Sequence, residues 1–571
     1  MITKSIKQYI MAGLLGCGIM ASTTSCNDFL DILPQNQVVL ENYWTQKNDV
    51  TSVLMSCYES LQSEDCVIRM GLWGEARSDN MKLGVSPSQD LQQLIKENIL
   101  PSNSFCDWKV FYQAINRCNT VCYYAPKVQE IDPNYSYSEM QANVAEAVFI
   151  RSLCYFYLIR TFRDVPFSRE PSIDDTQDYR VPADSFNVVL NNIISDLEAV
   201  KDQAQLYFLK PNPDKVQDLE RNNTARVTRS AVYALLADLY LWQGNWQRCV
   251  ECCDYVINFK QQEAENLRRR LQNDINLFND IPLIVEKQQT VSGNAYDLIF
   301  GRGNSFESLF ELSYNQTLRK DNKNSYITRY YLNTSNDRNL TAGMLAAVDE
   351  FYEGLPLKGT ELFPANDCRA YESIYQASTT QFYIGKYAAS QVRIDNSKSN
   401  WQPSYTWRGS EADYAHWIVY RLTDVVLMKA EALIQQGSDH FEEAFSLINA
   451  VNRRAVNSLT PGTGEYLKIE DYKDSKENME SLVMDERHRE LMFEGKRWYD
   501  LVRGALRTGS TRSLAVTVTK KQLTNTSGIQ IRLADPNALF LPYYRNELKV
   551  NPYLKQNPAY FTGDDADLEK N

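Results

Sequence analysis

Apolar residues recur at helical spacing in several separate stretches of the chain. Within residues 47–62 they include Val50, Leu54, Tyr58 and Leu61, and residues 110–124 repeat the pattern. This period of about 3.6 residues predicts amphipathic helices. Residues 140–162 are apolar almost all round and predict a deeply packed helix.

Two longer stretches predict pairs of antiparallel helices. Residues 228–260 hold two helical patterns separated by a turn at Gly244, and residues 421–457 repeat the arrangement around Gly437. Small residues at the crossing points are typical of tetratricopeptide hairpins, whose helices approach closely. With weaker flanking pairs, the sequence predicts a mainly α fold: a right-handed superhelix of about four tetratricopeptide-like helical hairpins.

Residues 267–417 differ from the rest of the chain in composition and in hydrophobic pattern. They are rich in Asn, Ser, Thr and Tyr, and short alternating pieces such as residues 308–313 predict strands. We interpret them as a long irregular insertion with minor β structure. Insertions of this kind on a rigid scaffold often carry the binding function.

The N-terminus has the order of a secretory signal. Lys4 and Lys7 precede an apolar run over residues 9–20, small residues follow, and Cys26 comes next. This order is typical of a lipoprotein signal peptide over residues 1–25, with Cys26 as the lipid attachment site. Cys17 is the alternative, because Leu14 stands three residues before it. Twelve apolar residues are too few to span a bilayer, so we expect an anchored protein.

The predicted organisation follows from these boundaries. Residues 1–25 form the signal peptide, 26–266 an N-terminal helical region, 267–417 the insertion and candidate ligand face, and 418–571 a C-terminal helical region.

Composition and charge exclude several classes of function. The net charge is −12, which disfavours nucleic acid as a partner. Three histidines, well separated along the chain, make a multi-histidine metal centre improbable. The glycine-rich loops of nucleotide-binding proteins and the serine hydrolase elbow are absent from the sequence. We therefore expect no metal and no cofactor. The ten cysteines after Cys26 are interpreted as small buried apolar residues.

Several motifs together resemble one family. Cys26-Asn-Asp-Phe-Leu-Asp31 resembles its start after the lipid site, and Ala145-Glu-Ala147 through Asp164-Val-Pro166 resembles its aromatic helix and stop. The most specific match is Asp485 through Arg503, and Gln556-Asn-Pro-Ala-Tyr560 resembles the terminal signature. The chain resembles the SusD/RagB family of Bacteroidetes outer-membrane lipoproteins over nearly its whole length.

The resemblance implies a function. Such proteins bind extracellular glycan at the outer face of the outer membrane and deliver it to a SusC-like TonB-dependent transporter. A minority of relatives capture peptides instead. The resemblance also implies a binding protein and not an enzyme.

One motif has an alternative catalytic interpretation. Glu490, Glu494 and Arg497 would share one helix face, and two such carboxylates could serve a glycosidase. We prefer the interpretation that Arg497 and the nearby Arg487 or Arg489 neutralise the two glutamates in a polar contact between helices.

A glycan site needs exposed aromatic rings beside polar groups, because sugars have apolar faces and a rim of hydroxyls. Residues 73–80 provide that mixture after the first helix, the insertion provides more tyrosines, and residues 401–407 predict an exposed aromatic loop. The candidate glycan-binding residues are Trp73, Arg77, Asp79, Asn80, Tyr296, Tyr326, Tyr330, Tyr331, Asn336, Trp401, Tyr405 and Trp407.

Glycan capture is therefore the favoured function. Peptide capture on the same architecture stays open, as do a surface glycosidase and a tetratricopeptide-type adaptor that joins other proteins. The sequence does not identify the sugar, the linkage or the chain length.

Overall fold

The computed structural model describes the chain from Tyr43 to Phe561, with gaps. The described residues are 43–173, 180–208, 223–267, 274–288, 290–314, 323–334, 340–349, 362–364, 367–395, 403–409, 414–456, 467–521 and 524–561.

Helices dominate the N-terminal half. The helices are α1 Lys47–Leu61, α2 Glu64–Glu75, α3 Gln89–Ile95, α4 Lys109–Ile131, α5 Tyr137–Phe162, α6 Phe186–Val200, α7 Arg229–Gln243 and α8 Trp246–Leu267. Helix α1 packs on α4, and from α4 to α8 each helix packs on the next along the chain.

Helices also dominate the C-terminal part. A short helix, α9 Arg369–Ser373, lies within the insertion, and the next helix, α10 Leu422–Gln436, packs against α8. The remaining helices are α11 Phe441–Val456, α12 Lys476–Leu491, α13 Arg497–Thr508, α14 Arg512–Thr519, α15 Thr526–Leu533 and α16 Arg545–Val550.

The strands are short and most of them lie in the insertion. They are β1 Met81–Leu83, β2 Ile275–Phe278, β3 Ile281–Ile284, β4 Lys287–Gln288, β5 Val291–Ser292, β6 Ser308–Leu312, β7 Leu332–Thr334, β8 Leu340–Ala342, β9 Leu345–Ala347, β10 Ile374–Ser378, β11 Gln381–Ile384, β12 Ala389–Asp395, β13 Pro403–Trp407 and β14 Trp417–Arg421. One sheet has four strands in the order β13-β12-β5-β4, and the other sheets of the described residues are two-stranded, all pairs being antiparallel.

The predicted helical hairpins are confirmed. Helices α7 and α8 are separated by two residues, and Gly244 ends α7 with a φ of +79° that favours glycine. Helices α10 and α11 form the second pair, with Gly437 at the turn. The mainly helical fold with minor β structure predicted from the sequence is therefore correct.

Helix α5 forms the centre of the array. Ser136 and Glu139 cap its start reciprocally, which satisfies free backbone N–H groups. By length and composition α5 is the one helix among the described residues that is apolar enough to cross a membrane, but 89% of its most apolar window is buried in the fold. It is a core helix, as its sequence pattern predicts.

One connected apolar core joins the two ends of the described chain, from Trp44 to Tyr560. All ten described cysteines are free thiols, and nine of them are buried, as expected for small apolar residues. The predicted boundaries at residues 267 and 417 stay predictions.

Candidate functional site

The first candidate segment, residues 73–80, lies inside the protein and not in an exposed loop. Trp73 belongs to helix α2, is 2% exposed, and donates from Nε1 to the carbonyl oxygen of Phe105 at 2.8 Å. Its ring stacks on Phe111 with 4.8 Å between the centroids. Both faces of the indole therefore contact protein, and the prediction that Trp73 is an exposed platform is wrong.

The polar members of this segment join distant parts of the chain. Arg77 pairs with Glu97 at 2.6 Å and donates to the carbonyl oxygen of Leu539 at 2.8 Å. Asp79 pairs with Arg497 at 2.9 Å, and Asn80 contacts His488. All three are buried. The predicted exposure of Arg77, Asp79 and Asn80 is wrong, because their polar groups are already used inside the fold.

The four candidate tyrosines of the insertion are also buried. Tyr296 donates to the carbonyl oxygen of Ala389 at 2.9 Å, and Tyr331 donates to that of Phe493 at 2.8 Å. Tyr326 and Tyr330 are 0% and 4% exposed. These side chains hold the insertion on the helices, so their predicted exposure is wrong. Cys26, Asn336 and Trp401 lie outside the described residues.

Two candidates, Tyr405 and Trp407, lie together at the surface. They occupy strand β13, two residues apart, so both side chains lie on one face of the four-stranded sheet. Their rings are 4.9 Å apart and nearly parallel, at 11°. Both are only partly buried. The prediction placed them in an exposed loop, whereas a regular strand holds them.

The neighbouring hairpin β10–β11 adds two tyrosines. Tyr375 packs edge-on against Tyr405 at 5.0 Å and against Trp407 at 4.8 Å. Tyr383 is the cross-strand partner of Tyr375, with 6.3 Å between the rings. We call Tyr375, Tyr383, Tyr405 and Trp407 the aromatic patch.

The aromatic patch combines rigid rings with polar groups. Tyr405 donates its hydroxyl to the carbonyl oxygen of Tyr371 at 2.9 Å, which fixes the ring. The Trp407 indole N–H has no acceptor among the described residues, and Gln381 lies exposed beside Tyr383. Such a surface can stack on the apolar face of a sugar and hydrogen-bond its hydroxyls.

Sequence reasoning missed Tyr375 and Tyr383. Their only signal was the alternation of Ile374-Tyr-Gln and Phe382-Tyr-Ile in two neighbouring strands. Nothing in the sequence indicates that this hairpin packs its tyrosines against β13.

The pair of glutamates that suggested a glycosidase is buried and neutralised. Glu490 accepts from Arg369 at 3.0 Å, from Arg421 at 2.6 Å and from Arg454. Burial alone would raise its pKa, but the three guanidinium groups hold the pKa well below its usual range. Glu494 pairs with Arg421 and Lys386.

The neutralisation was predicted but the partners were not. The three arginines expected to do it bind other carboxylates: Arg497 pairs with Asp79, Arg487 with Asp424 and Asp500, and Arg489 with Glu486. The true partners of Glu490 come from three other elements of the chain.

Another acidic group involves Glu286, Cys368 and Glu372. Their ligand atoms lie within 4.8 Å of one another, and all three are buried. Burial raises the pKa of Glu286 well above its usual range and that of Glu372 to about 7. Because the two carboxyl groups lie close together and burial disfavours the charged form of both, we interpret the arrangement as a carboxyl pair that shares a proton.

Two family models match the chain. The SusD family model matches residues 306–560, and a model described as starch-binding associating with outer membrane matches residues 28–241. Two SusD-like proteins of Formosa agariphila are 24% and 25% identical, over 96% and 95% of this chain and 97% and 98% of their own lengths.

Solved structures share the fold. A SusD superfamily protein from Bacteroides vulgatus has a TM-score of 0.63 at 19% identity, over 90% of this chain and 100% of its own. Surface glycan-binding protein A from Bacteroides thetaiotaomicron, in complex with laminarihexaose, has a TM-score of 0.61 at 18% identity, with the same coverage. The description of the model that matches residues 28–241 gives an association with the outer membrane. The chain belongs to the SusD/RagB family.

Proposed function

We propose that this protein captures extracellular glycan on the aromatic patch. The observation that carries the proposal is the parallel stack of Tyr405 and Trp407 on a rigid strand, backed by Tyr375. Aromatic rings with one partly open side suit the apolar face of a pyranose ring, and little side-chain freedom is lost because packing already fixes them.

The relatives support a glycan as the ligand. One similar structure, at a TM-score of 0.61 and 19% identity, is a laminarin-binding SusD-like protein, and another contains laminarihexaose. The ligand of the present protein is proposed by analogy with them, together with the geometry of the aromatic patch.

We propose further that the protein is a lipoprotein facing the exterior and passes its glycan to a SusC-like TonB-dependent transporter. The family resemblance and the order of the first 26 residues support this proposal. Replacing Cys26 by Ala should abolish labelling with palmitate, whereas Cys17→Ala should not. Labelling that survives loss of Cys26 and disappears with loss of Cys17 would move the anchor.

We propose that binding takes place without catalysis. Glu490 and Glu494, the pair that the sequence offered as catalytic, are 3% and 2% exposed and bound by cations. A glycosidase would release reducing ends from its ligand. We expect none after prolonged incubation.

The decisive experiment is calorimetry of residues 27–571 against neutral and acidic oligosaccharides, mucin oligosaccharides and mixed peptides. We expect one class of glycan to bind, and Trp407→Ala to weaken that binding at least tenfold, or about 1.4 kcal/mol. The matched control is Tyr137→Ala, an aromatic residue that is 61% exposed on helix α5.

Two results would contradict the proposal. Unchanged affinity in both Trp407→Ala and Tyr375→Ala, with unchanged thermal unfolding, would place the glycan site elsewhere. Binding of peptides without binding of any glycan would make the protein a peptide-capturing member of the family. No binding of any ligand would favour the adaptor.

A further inference from the structure

The face of the four-stranded sheet opposite the aromatic patch borders a polar cleft. Tyr405 pairs with Val392, and Ser404 pairs with Arg393, so Gln391 and Arg393 point away from the aromatic patch. Strands β4 and β5, the helical segment that follows Gly293 as far as Arg302, and strand β12 border a volume of about 770 Å³. This volume is within the range of about 300–1,000 Å³ typical of small-ligand sites.

Cations dominate the rim of the cleft. Lys287, Arg302 and Arg393 line it, and Asp297 is the one acidic residue among its lining residues. Arg302 pairs with Asp297 at 3.3 Å, while Lys287 and Arg393 have no acidic partner among the described residues. The cleft therefore carries a local positive excess in a chain whose net charge is −12.

Amide groups provide the remaining polar surface. The side-chain nitrogens of Gln288 and Asn294 donate to Asp274 at 2.7 Å and to the carbonyl oxygen of Val285 at 2.9 Å. Gln391 donates to Asp297 at 3.4 Å. The three amide oxygens have no protein donor among the described residues, so they can accept hydrogen bonds from hydroxyl groups.

Contacts of Gly293 with Val392 and Glu286 fix the backbone of the cleft. Gly293 has a φ of +111°, and a Cβ there would lie 1.9 Å from the carbonyl oxygen of Val392. Its N–H donates to the buried carboxyl group of Glu286. The hairpin β4–β5 is thereby held against β12, and Lys287 and Arg393 both line the cleft that these strands border.

We propose that this cleft binds the acidic group of an anionic sugar, a carboxylate or a sulfate. Lys287 and Arg393 would neutralise the anion, and the amide oxygens would accept from the ring hydroxyls. Because the rest of the surface carries excess negative charge, anionic polymers are attracted to this local region and not to the protein as a whole. The inference rests on the proposed function and narrows its substrate class to acidic glycans.

The test uses calorimetry of residues 27–571 with three sets of oligosaccharides of equal length. One set carries carboxylates (oligogalacturonate), one carries sulfates (chondroitin sulfate oligosaccharides), and one is neutral (laminari-oligosaccharides). An oligoglutamate peptide serves as an anion that is not a sugar. We expect one acidic set to bind, and to bind more weakly as salt rises, because salt screens exposed charges.

The variant Lys287→Gln with Arg393→Gln should weaken binding of the acidic sugar at least tenfold and leave the affinity for any neutral glycan unchanged. The matched control, Arg512→Gln with Lys549→Gln, removes the same two charges from exposed helical positions and should have no such effect.

The outcomes separate the two proposals. Binding of neutral glycan alone would overturn the acidic cleft and leave glycan capture intact, and binding of peptide alone would overturn both. Equal binding of oligoglutamate, or an equal loss in the control variant, would overturn the assignment of the cleft to an acidic sugar. Carboxylate or sulfate preference in the wild type identifies the group.

Discussion

At the scale of single residues, the fold depends on carboxylates that are buried with their cations. Glu490 contacts three guanidinium groups and is 3% exposed. Removing one member of a buried ionic cluster leaves the other charges without compensation.

Glu490→Gln should therefore destabilise the protein by about 3–5 kcal/mol, because three buried guanidinium groups lose their shared counter-charge. The free energy of unfolding in urea measures this change. The control is Glu477→Gln, an exposed glutamate on the same helix, which should change stability by less than about 0.5 kcal/mol. Similar losses in the two variants would contradict the structural role of Glu490.

We expect Asp424 to make the stability of the fold depend on pH in acid. Burial would raise its pKa, but Lys496 at 2.6 Å and Arg487 at 2.9 Å lower the pKa from 3.8 to about 2. The contribution of this group is present above pH 3.8 and is lost as the pH falls towards 2.

Asp424→Asn should accordingly flatten the dependence of unfolding free energy on pH between 3.8 and 2, by about 2 kcal/mol in total. Chemical unfolding at a series of pH values tests this expectation. Asp471→Asn, at an exposed position, should keep the slope of the wild type. A slope that is the same in all three proteins would refute the assignment.

The limits of prediction are clearest for the aromatic residues. The strand that holds Tyr405 and Trp407 differs from the predicted loop, yet both rings lie at the surface. Tyr326 was predicted to lie there too, but it packs edge-on against Trp417 at 5.3 Å. Both sets of residues come from segments of similar composition. Only tertiary packing decides which tyrosines are buried against the helices and which remain partly exposed.

At the scale of elements, the helices were predictable, whereas the pairing of the strands in the insertion was not. The helices α5, α7 and α10 follow from local sequence, because the apolar residues that each of them buries lie within the helix itself. The sheet β13-β12-β5-β4 joins strands that are more than 100 residues apart. Its strand pairings depend on contacts between distant parts of the chain, which no local sequence pattern predicts. The same holds for the aromatic patch and the cleft, because both are built on these pairings.

Gly293, which follows strand β5 of this sheet, is a position that leaves no room for a larger side chain. Gly293→Ala should cost at least about 1 kcal/mol, because its φ is positive and the added Cβ would collide with the backbone of Val392. We expect lower thermal stability and weaker binding of acidic sugar. Gly504→Ala, at a partly exposed position inside α13 with no atom near the added Cβ, should stabilise the protein by up to about 1 kcal/mol.

At the scale of the whole molecule, the two ends of the described chain depend on each other. Glu75 accepts backbone hydrogen bonds from Phe493 and Lys496, Asp79 pairs with Arg497, and Lys521 donates to three carbonyl oxygens of residues 76–78. If the chain were divided between these two ends, the carboxylates of one part and the cationic and backbone N–H groups of the other would lose their partners.

We therefore expect the described chain to unfold in one cooperative transition and the fragment 43–267 not to fold alone. Calorimetry of the whole protein and circular dichroism of the fragment test this. A fragment that melts cooperatively by itself, at a temperature near that of the whole protein, would show that the halves are independent.

The buried helix α5 has a consequence before folding begins. On the export route that the proposed function requires, the chain crosses the inner membrane before it folds, and by length and composition residues 142–159 are apolar enough to partition into lipid. Glu146 and Arg151 interrupt this stretch. Arg151 lies at its centre, where an arginine opposes insertion by about 2.5–3.5 kcal/mol. Their folded partners, Arg226 and Asp196, follow later in the chain and are still absent at that moment. We therefore expect the same two side chains that pair in the folded core to disfavour insertion of this stretch into a bilayer before the chain folds.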